Sequence, residues 1–230
     1  MKTVGIIGGL GPETTSEFYL ELIFSCRQID KTSYPPILIN SIPLRFDIEK
    51  DAIVDGIGEE RILPQLLAAA RNLEKAGADF VVLPCNSLHK FINDIRQAVK
   101  IPVLSILEET TKFLKQQKIN KVGIIATPIT TKNKLYEKLL KASGIATLVP
   151  DSLQQAKIGK LILNITSNRY DNKDRDLLLK IIQDFGKKKV KNIILACTDL
   201  QLLIPKQDNF QIYDTMKILL DATVKKITSI

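Results

Sequence analysis

Ala78-Asp79-Phe80-Val81-Val82-Leu83-Pro84-Cys85-Asn86 reads as an apolar strand that runs into a cysteine and a polar side chain, and the pattern comes twice. Its second copy is Val190-Lys191-Asn192-Ile193-Ile194-Leu195-Ala196-Cys197-Thr198, with Cys197 placed 112 residues after Cys85. Thr3-Val4-Gly5-Ile6-Ile7 likewise returns as Lys121-Val122-Gly123-Ile124-Ile125, an offset of 118 residues. Self-similarity kept in order along the chain predicts two halves of about 110 residues, each carrying one strand-then-cysteine unit.

Working outward, short apolar runs alternate with amphipathic segments of helical length, the pattern of an α/β protein with mainly parallel sheets. Strands are expected at Thr3 to Ile7, Ile37 to Asn40, Phe80 to Leu83, Val103-Leu104, Val122 to Ala126 and Ile193 to Ala196. A helix is expected from about Glu13 to Arg27, and Gly58 to Lys75 carries Leu63, Leu66, Leu67, Ala70 and Leu73 at helical spacing, with Gly77 in the C-cap region. Leu177, Leu178, Ile181, Ile182 and Phe185 mark another helix, which Gly186 is expected to stop.

The chain has 230 residues, 45% of them hydrophobic and 25% charged, enough to build a core and too mixed for a disordered or low-complexity reading. No apolar run approaches the roughly 20 residues that span a bilayer, so no membrane association is expected. The first residues lack the apolar stretch of a secretion signal, and three cysteines, an odd number, predict a reducing cytoplasm rather than a disulfide framework. The net charge of +8 raises the question of nucleic acid. The basic residues are scattered, however, and the densest run, Lys187-Lys188-Lys189-Val190-Lys191, has no aromatic platform beside it, so it reads as a solvated helix-to-strand junction. A mild positive field suits a small anionic substrate.

Cys85 and Cys197 are placed at the carboxyl ends of strands, the edge at which open α/β sheets bind ligands, with helical segments following. A lone cysteine is most often a small buried hydrophobe, and Cys26, at helical spacing from Phe18, Tyr19 and Leu22, is expected to be one. Two cysteines at matched strand ends ask for another reading. A cysteine protease needs an imidazole, and the one histidine, His89, lies on the helical segment after Cys85. Structural zinc asks for about four ligands, so no metal is expected. A redox Cys-x-x-Cys pair is absent. Two thiols on opposite sides of one carbon are the least machinery that removes a proton from one face and delivers one to the other. Gly8-Gly9-Leu10-Gly11-Pro12 fits neither the dinucleotide fingerprint nor a phosphate loop, but its backbone N–H groups could face a carboxylate.

These segments resemble the aspartate/glutamate racemases, the cofactor-independent amino-acid racemases. The resemblance rests on Gly5-Ile6-Ile7-Gly8-Gly9-Leu10-Gly11-Pro12, Leu83-Pro84-Cys85-Asn86-Ser87-Leu88-His89, Gly123-Ile124-Ile125-Ala126-Thr127 with Thr130, and Ala196-Cys197-Thr198-Asp199. It implies two pseudo-symmetric α/β domains, 1–100 plus 209–230 and 101–208, with the active site in the interdomain cleft, and a homodimer. It also implies an aspartate or glutamate racemase without a cofactor, in which Cys85 and Cys197 are the bases. Gly9, Leu10, Gly11, Asn86, Ser87, Thr127, Thr130 and Thr198 would hold substrate, and Arg45 would bind its far carboxylate. The chain departs from the family pattern in reading Ser87 and Asp199 where Thr and Glu are usual. It also lacks the lysine that aspartate-type members place in the region that here reads Leu163-Asn164-Ile165-Thr166-Ser167-Asn168, the nearest cations being Lys157, Lys160 and Arg169. A decarboxylase or isomerase of small dicarboxylates, or a non-catalytic small-anion binder, are the alternative functions on this scaffold.

Overall fold

The computed structural model of the chain describes residues 1–204 and 209–228. Its first half runs β1 (Val4–Gly8), α1 (Pro12–Ile29), β2 (Ile37–Ser41), α2 (Phe46–Lys50), α3 (Leu63–Lys75), β3 (Phe80–Val82), α4 (Ile92–Ala98) and β4 (Val103–Leu104). The second half runs α5 (Ile106–Gln116), β5 (Lys121–Ala126), α6 (Pro128–Lys132), α7 (Leu135–Ala142), β6 (Ala146–Leu148), α8 (Ser152–Thr166), α9 (Asn172–Lys187), β7 (Asn192–Ala196), β8 (Gln211–Asp214) and α10 (Thr215–Thr228).

The strands form two parallel four-stranded sheets, ordered β2-β1-β3-β4 and β6-β5-β7-β8. The two orders are the same with each strand number raised by four, so the repeat read in the sequence is a repeat of topology. β1 and β3 are buried along their whole length, which is why they appear as continuous apolar runs rather than alternating ones. Gly5 and Gly123, the matched glycines of β1 and β5, mark where a helix presses on each sheet. A Cβ on Gly5 would stand 3.0 Å from Leu73 of α3, and one on Gly123 would collide with the Phe185 ring of α9. In α1, Thr14, Phe18, Leu22 and Cys26 recur every fourth residue and are all buried, so Cys26 is a core side chain, whereas Tyr19 is 36% exposed.

By their contacts the residues fall into two units, Met1–Arg45 with Glu60–Glu109 and the chain from Met216 on, and Phe46–Glu59 with Thr110–Thr215. The boundaries 1–100 plus 209–230 and 101–208 therefore need correction in three places. β4 pairs with β3, so residues 101–109 belong to the first unit. β8 pairs with β7, so Gln211–Asp214 belongs to the second. The segment Phe46–Glu59, which contains α2 and a wide turn at Asp51–Asp55, also joins the second unit. It does so because Gly159 of α8 has no Cβ, which lets the Ile53 carbonyl approach to within 3.0 Å of where one would be, and Lys132 Nζ donates to the Gly56 carbonyl (3.3 Å).

Two helix boundaries also differ from expectation. α3 begins at Leu63, not Gly58, with Pro64 in its first turn, and a 3₁₀ turn at Glu59–Ile62 precedes it. α9 passes through Gly186 to Lys187, and the left-handed residue beyond it is Lys189 (φ 57°). Gly186 is needed for space, since a Cβ there would stand 2.8 Å from Phe210. The basic run is the helix-to-strand junction expected of it, with Val190 buried and Lys187, Lys188, Lys189 and Lys191 exposed.

Candidate active site

Because each sheet is parallel, the segments that come after its strands share one edge. On the first sheet these are Gly9–Gly11 after β1, Ile42–Arg45 after β2, Leu83–Ser87 after β3 and Ser105 after β4. On the second they are Thr127–Thr130 after β5, Asp151 beyond β6, Cys197–Asp199 after β7 and Thr215 after β8. Strand order reverses at β1 and at β5, so the β1/β3 and β5/β7 ends flank the switch points at which ligands of such sheets bind. Each cysteine comes after one of those strands.

The glycine turn after β1 is tied down from within. The Gly9 N–H donates to Thr15 Oγ1 (3.0 Å), and the Thr15 hydroxyl donates to the Gly11 carbonyl (2.8 Å). Gly9 takes φ 83°, and a Cβ there would fall on the Ile42 carbonyl and amide, so the turn excludes other residues. The Gly9 N–H is thus engaged inside the protein, which corrects the expectation that the turn's amides as a set face a ligand.

Cys85 lies three residues beyond the end of β3 and is partly exposed, while Asn86 is buried and Ser87 partly so. A 3₁₀ turn, Ser87–Phe91, separates this segment from α4, so the α-helical N-terminus expected beside this thiol is displaced. The Cys85 N–H donates to the Leu83 carbonyl (2.8 Å). His89 is 1% exposed and lies with Nδ1 2.7 Å from the Cys85 carbonyl. Its Nε2 accepts the N–H of Ile106, the first residue of α5, at 3.0 Å. That bond leaves Nε2 without a hydrogen and puts the proton on Nδ1, which donates to Cys85. Burial pushes the His89 pKa down to about 4 against the pull of the Cys85 carbonyl, so the ring is neutral at ordinary pH. Beside it Arg96 and Glu108 form a two-pronged pair, both contacts at 2.7 Å.

In the second unit Cys197 directly follows β7 and is 7% exposed. Its thiol donates to Asp199 Oδ2 (3.4 Å), and the Leu200 N–H closes onto its carbonyl (3.2 Å). Asp199 is the N-cap of the 3₁₀ turn Leu200–Leu203, yet its carboxylate makes no capping bond and turns to the sulfur instead. Thr127 caps α6, accepting the Thr130 N–H (3.4 Å) with the two hydroxyls 3.1 Å apart. Gln155 of α8 braces this turn, donating to the Ala126 carbonyl and accepting from the Thr131 hydroxyl, both at 2.9 Å.

The structure therefore gathers Cys85 with Gly9, Leu10, Gly11, Asn86, Ser87 and Arg45 on the carboxyl edge of the first sheet, Arg45 being exposed. Cys197, Thr127, Thr130 and Thr198 share that edge of the second. Where the resemblance implied a lysine, the Thr166 hydroxyl bonds back to the Leu163 carbonyl (3.3 Å), and Lys157, Lys160 and Arg169 are all exposed. The sequence reading missed the bracing by Thr15 and Gln155 and the ties of His89 and Asp199. A threonine seven residues after a strand carries no periodic signal, but a lone histidine four residues after a candidate cysteine could have been tested for such a tie. Among the described residues no group of three or more His, Cys, Asp or Glu is placed to hold a metal ion, and no helix is long and apolar enough to cross a membrane.

The sequence matches the Asp/Glu/hydantoin racemase family over residues 7–223. RacX of Bacillus subtilis (strain 168), a broad specificity amino-acid racemase, is 30% identical over 226 residues, which cover 96% of this chain and 96% of that protein. The crystal structure of an aspartate racemase homologue from Pyrococcus horikoshii OT3 has a TM-score of 0.80 at 26% identity, covering 99% of this chain and 100% of the other. An arylmalonate decarboxylase shares the fold at a TM-score of 0.56 and 15% identity, covering 99% of this chain and 93% of its own. With matched sheets, matched strand-end cysteines and a family match spanning nearly its whole length, the chain belongs to the Asp/Glu/hydantoin racemase family.

Proposed function

We propose that the chain racemises an acidic amino acid, aspartate or glutamate, by exchanging a proton at Cα between Cys85 and Cys197 without a cofactor. The observation that supports this most is the placement of one thiol after β3 and one after β7, equivalent strands of two sheets with the same order, in a chain of a racemase family.

In one direction the Cys85 thiolate takes the Cα proton, and the electron pair left on carbon takes the proton of the Cys197 thiol on the opposite face. The product leaves inverted, with Cys85 now the thiol and Cys197 the thiolate, which is the starting state for the reverse direction. Two thiolates around an anionic substrate would repel each other and it, so the pair shares one proton and titrates as a unit. Asn86, Ser87, Thr127, Thr130 and Thr198, with the backbone of Leu10 and Gly11, would hold the α-carboxylate and ammonium and stabilise charge as it develops on the carboxylate. Arg45 would clamp the side-chain carboxylate through paired N–H bonds. A cytoplasmic homodimer belongs to the same reading.

A wider substrate range is the second reading. Thr166 at the expected lysine position and the exposure of Lys157, Lys160 and Arg169 favour it, as does the broad specificity of RacX. The two are separated by incubating L- and D-aspartate, L- and D-glutamate and alanine in D₂O and tracking Cα deuterium with chirality. Inverted, labelled aspartate or glutamate with inert alanine supports the first reading, and comparable turnover of alanine supports the second. Arg45→Ala adds a check. A charge-assisted clamp is worth roughly 1.5–3 kcal/mol, so kcat/KM should fall about ten- to a hundredfold on acidic substrates and little on alanine. Equal losses on both would place Arg45 outside the pocket.

A further inference from the structure

We infer that His89 is a positioning residue for the Cys85 thiol, its ring supplying the hold on the cysteine carbonyl that the second unit obtains from backbone. The inference rests on Cys85 acting as a base. The two cysteine turns start in different registers. After Cys197 the N-cap of the turn is two residues on, at Asp199, and the Leu200 N–H reaches back to the cysteine carbonyl (3.2 Å). After Cys85 the N-cap is one residue on, at Asn86, and the His89 N–H goes to the Asn86 carbonyl (3.1 Å). The Cys85 carbonyl thus lies just upstream of the first carbonyl that the turn engages, and the His89 Nδ1–H takes it at 2.7 Å.

Cys85 also lies outside the sheet ladder, which ends at Val82, whereas Cys197 adjoins its strand. Its peptide is fixed on the N–H side by Leu83 and on the carbonyl side by His89. The ring is anchored in turn, because its other nitrogen accepts the Ile106 N–H at the start of α5, a group that has no acceptor within its own helix. The neutral ring therefore bridges α5 and the cysteine turn. Burial keeps it in that state.

The test compares His89→Asn, His89→Gln and His89→Ala in the full-length protein, with Cys85→Ser as control. The Asn amide places an N–H near Nδ1, the Gln amide places its polar group near Nε2, and Ala supplies neither. A misplacement of about 1 Å costs on the order of a hundredfold in rate. His89→Ala should therefore lower kcat by about that factor with KM nearly unchanged, and Asn should recover most of the loss while Gln recovers less. Iodoacetamide should report a changed alkylation rate at Cys85 in His89→Ala and an unchanged one at Cys197, read by mass spectrometry. A folded His89→Ala enzyme with wild-type kcat overturns the inference, as do equal kcat losses in all three variants that track their melting temperatures. Full racemisation by Cys85→Ser would instead refute the two-thiol reading on which the inference stands, so the two failures are distinguishable.

Discussion

In the first unit a neutral imidazole holds the carbonyl of the cysteine, and in the second a carboxylate holds the cysteine's thiol. Strand order is common to both, and each cysteine follows the equivalent strand of its sheet, while its offset from the strand end and the side chain that holds it differ. In the proposed two-thiol reaction the proton carriers are in opposite protonation states when substrate arrives. A carboxylate that accepts the S–H proton of Cys197 favours its thiol form. The difference teaches that a repeated scaffold supplies the placement of two like groups, while side chains after the strands make them unlike.

The severest way to break the comparison is to remove the sulfurs. Cys85→Ser and Cys197→Ser should each lower racemisation by at least about a thousandfold, within the usual range for removing a general acid or base. Because enantiomers have equal free energy, both directions must fall together in each variant, as kcat/KM from either enantiomer would show. A variant that keeps appreciable racemisation while folded would mean that its half is not a proton carrier.

Acid should next test the buried imidazole of the first unit. With a pKa near 4 when folded and about 6.5 when unfolded, His89 binds its proton more tightly in the unfolded chain. Its contribution to stability is complete above about pH 6.5 and is lost as pH falls toward 4, by roughly 3 kcal/mol. The charged groups facing the ring, Glu108 and Arg96, pair with each other, and the Arg96 guanidinium holds the Glu108 carboxyl below its ordinary value. That pair's stabilisation is complete above the ordinary carboxylate value near 4.5 and is lost as pH falls through that value and below, so its window meets that of His89 only at the acid end. Urea melts between pH 7 and 4 should show a shallower decline in His89→Gln than in the wild type, and parallel declines would contradict the assigned burial.

Asp199→Asn should sharpen the other side. It leaves a neutral acceptor beside Cys197, and the loss of one charge-assisted bond, about 1.4 kcal/mol, corresponds to about tenfold in kcat. Alkylation at Cys197 should quicken while that at Cys85 holds steady. Equal change at both thiols would mean that Asp199 acts on the whole protein rather than on its neighbour.

The smallest effect belongs to the third sulfur. Cys26 is fully buried in α1 and has its thiol raised by desolvation, so it is inert packing. Cys26→Ala should leave kcat unchanged and lower the melting temperature by a few degrees, as a small cavity does.

Strands buried on both faces are legible in the sequence because their composition is continuously apolar, and the repeat is legible because Gly5 and Gly123 answer the same steric demand from Leu73 and Phe185. The short edge strands β6 and β8, Ala146–Leu148 and Gln211–Asp214, are partly exposed and lack that signature, so the apolar pattern does not reveal them. The cysteines stand out through their register with the strands. The roles of His89, Thr15 and Gln155 do not, because each depends on a partner brought near by the turn or by another strand or helix, and local pattern does not encode that meeting. Sequence order puts Phe46–Glu59 in the first unit, whereas its place is decided by a missing Cβ more than a hundred residues away at Gly159.

The interleaving of the two units also bears on how the protein is made. The Lys2 N–H bonds to the Ile227 carbonyl (2.9 Å), Ile227 is fully buried, and Lys226 lies over the Phe80 ring (5.4 Å), so the first sheet receives part of its cover from α10. On a ribosome adding about 5–20 residues per second, roughly ten to forty seconds separate β1 from the helix that completes its unit. Through that interval the apolar faces of β1 and β3 wait for a cover not yet synthesised. A chain that ends before residue 215 therefore lacks the part of the first unit's cover that α10 supplies, and that unit is completed only when the last helix is made.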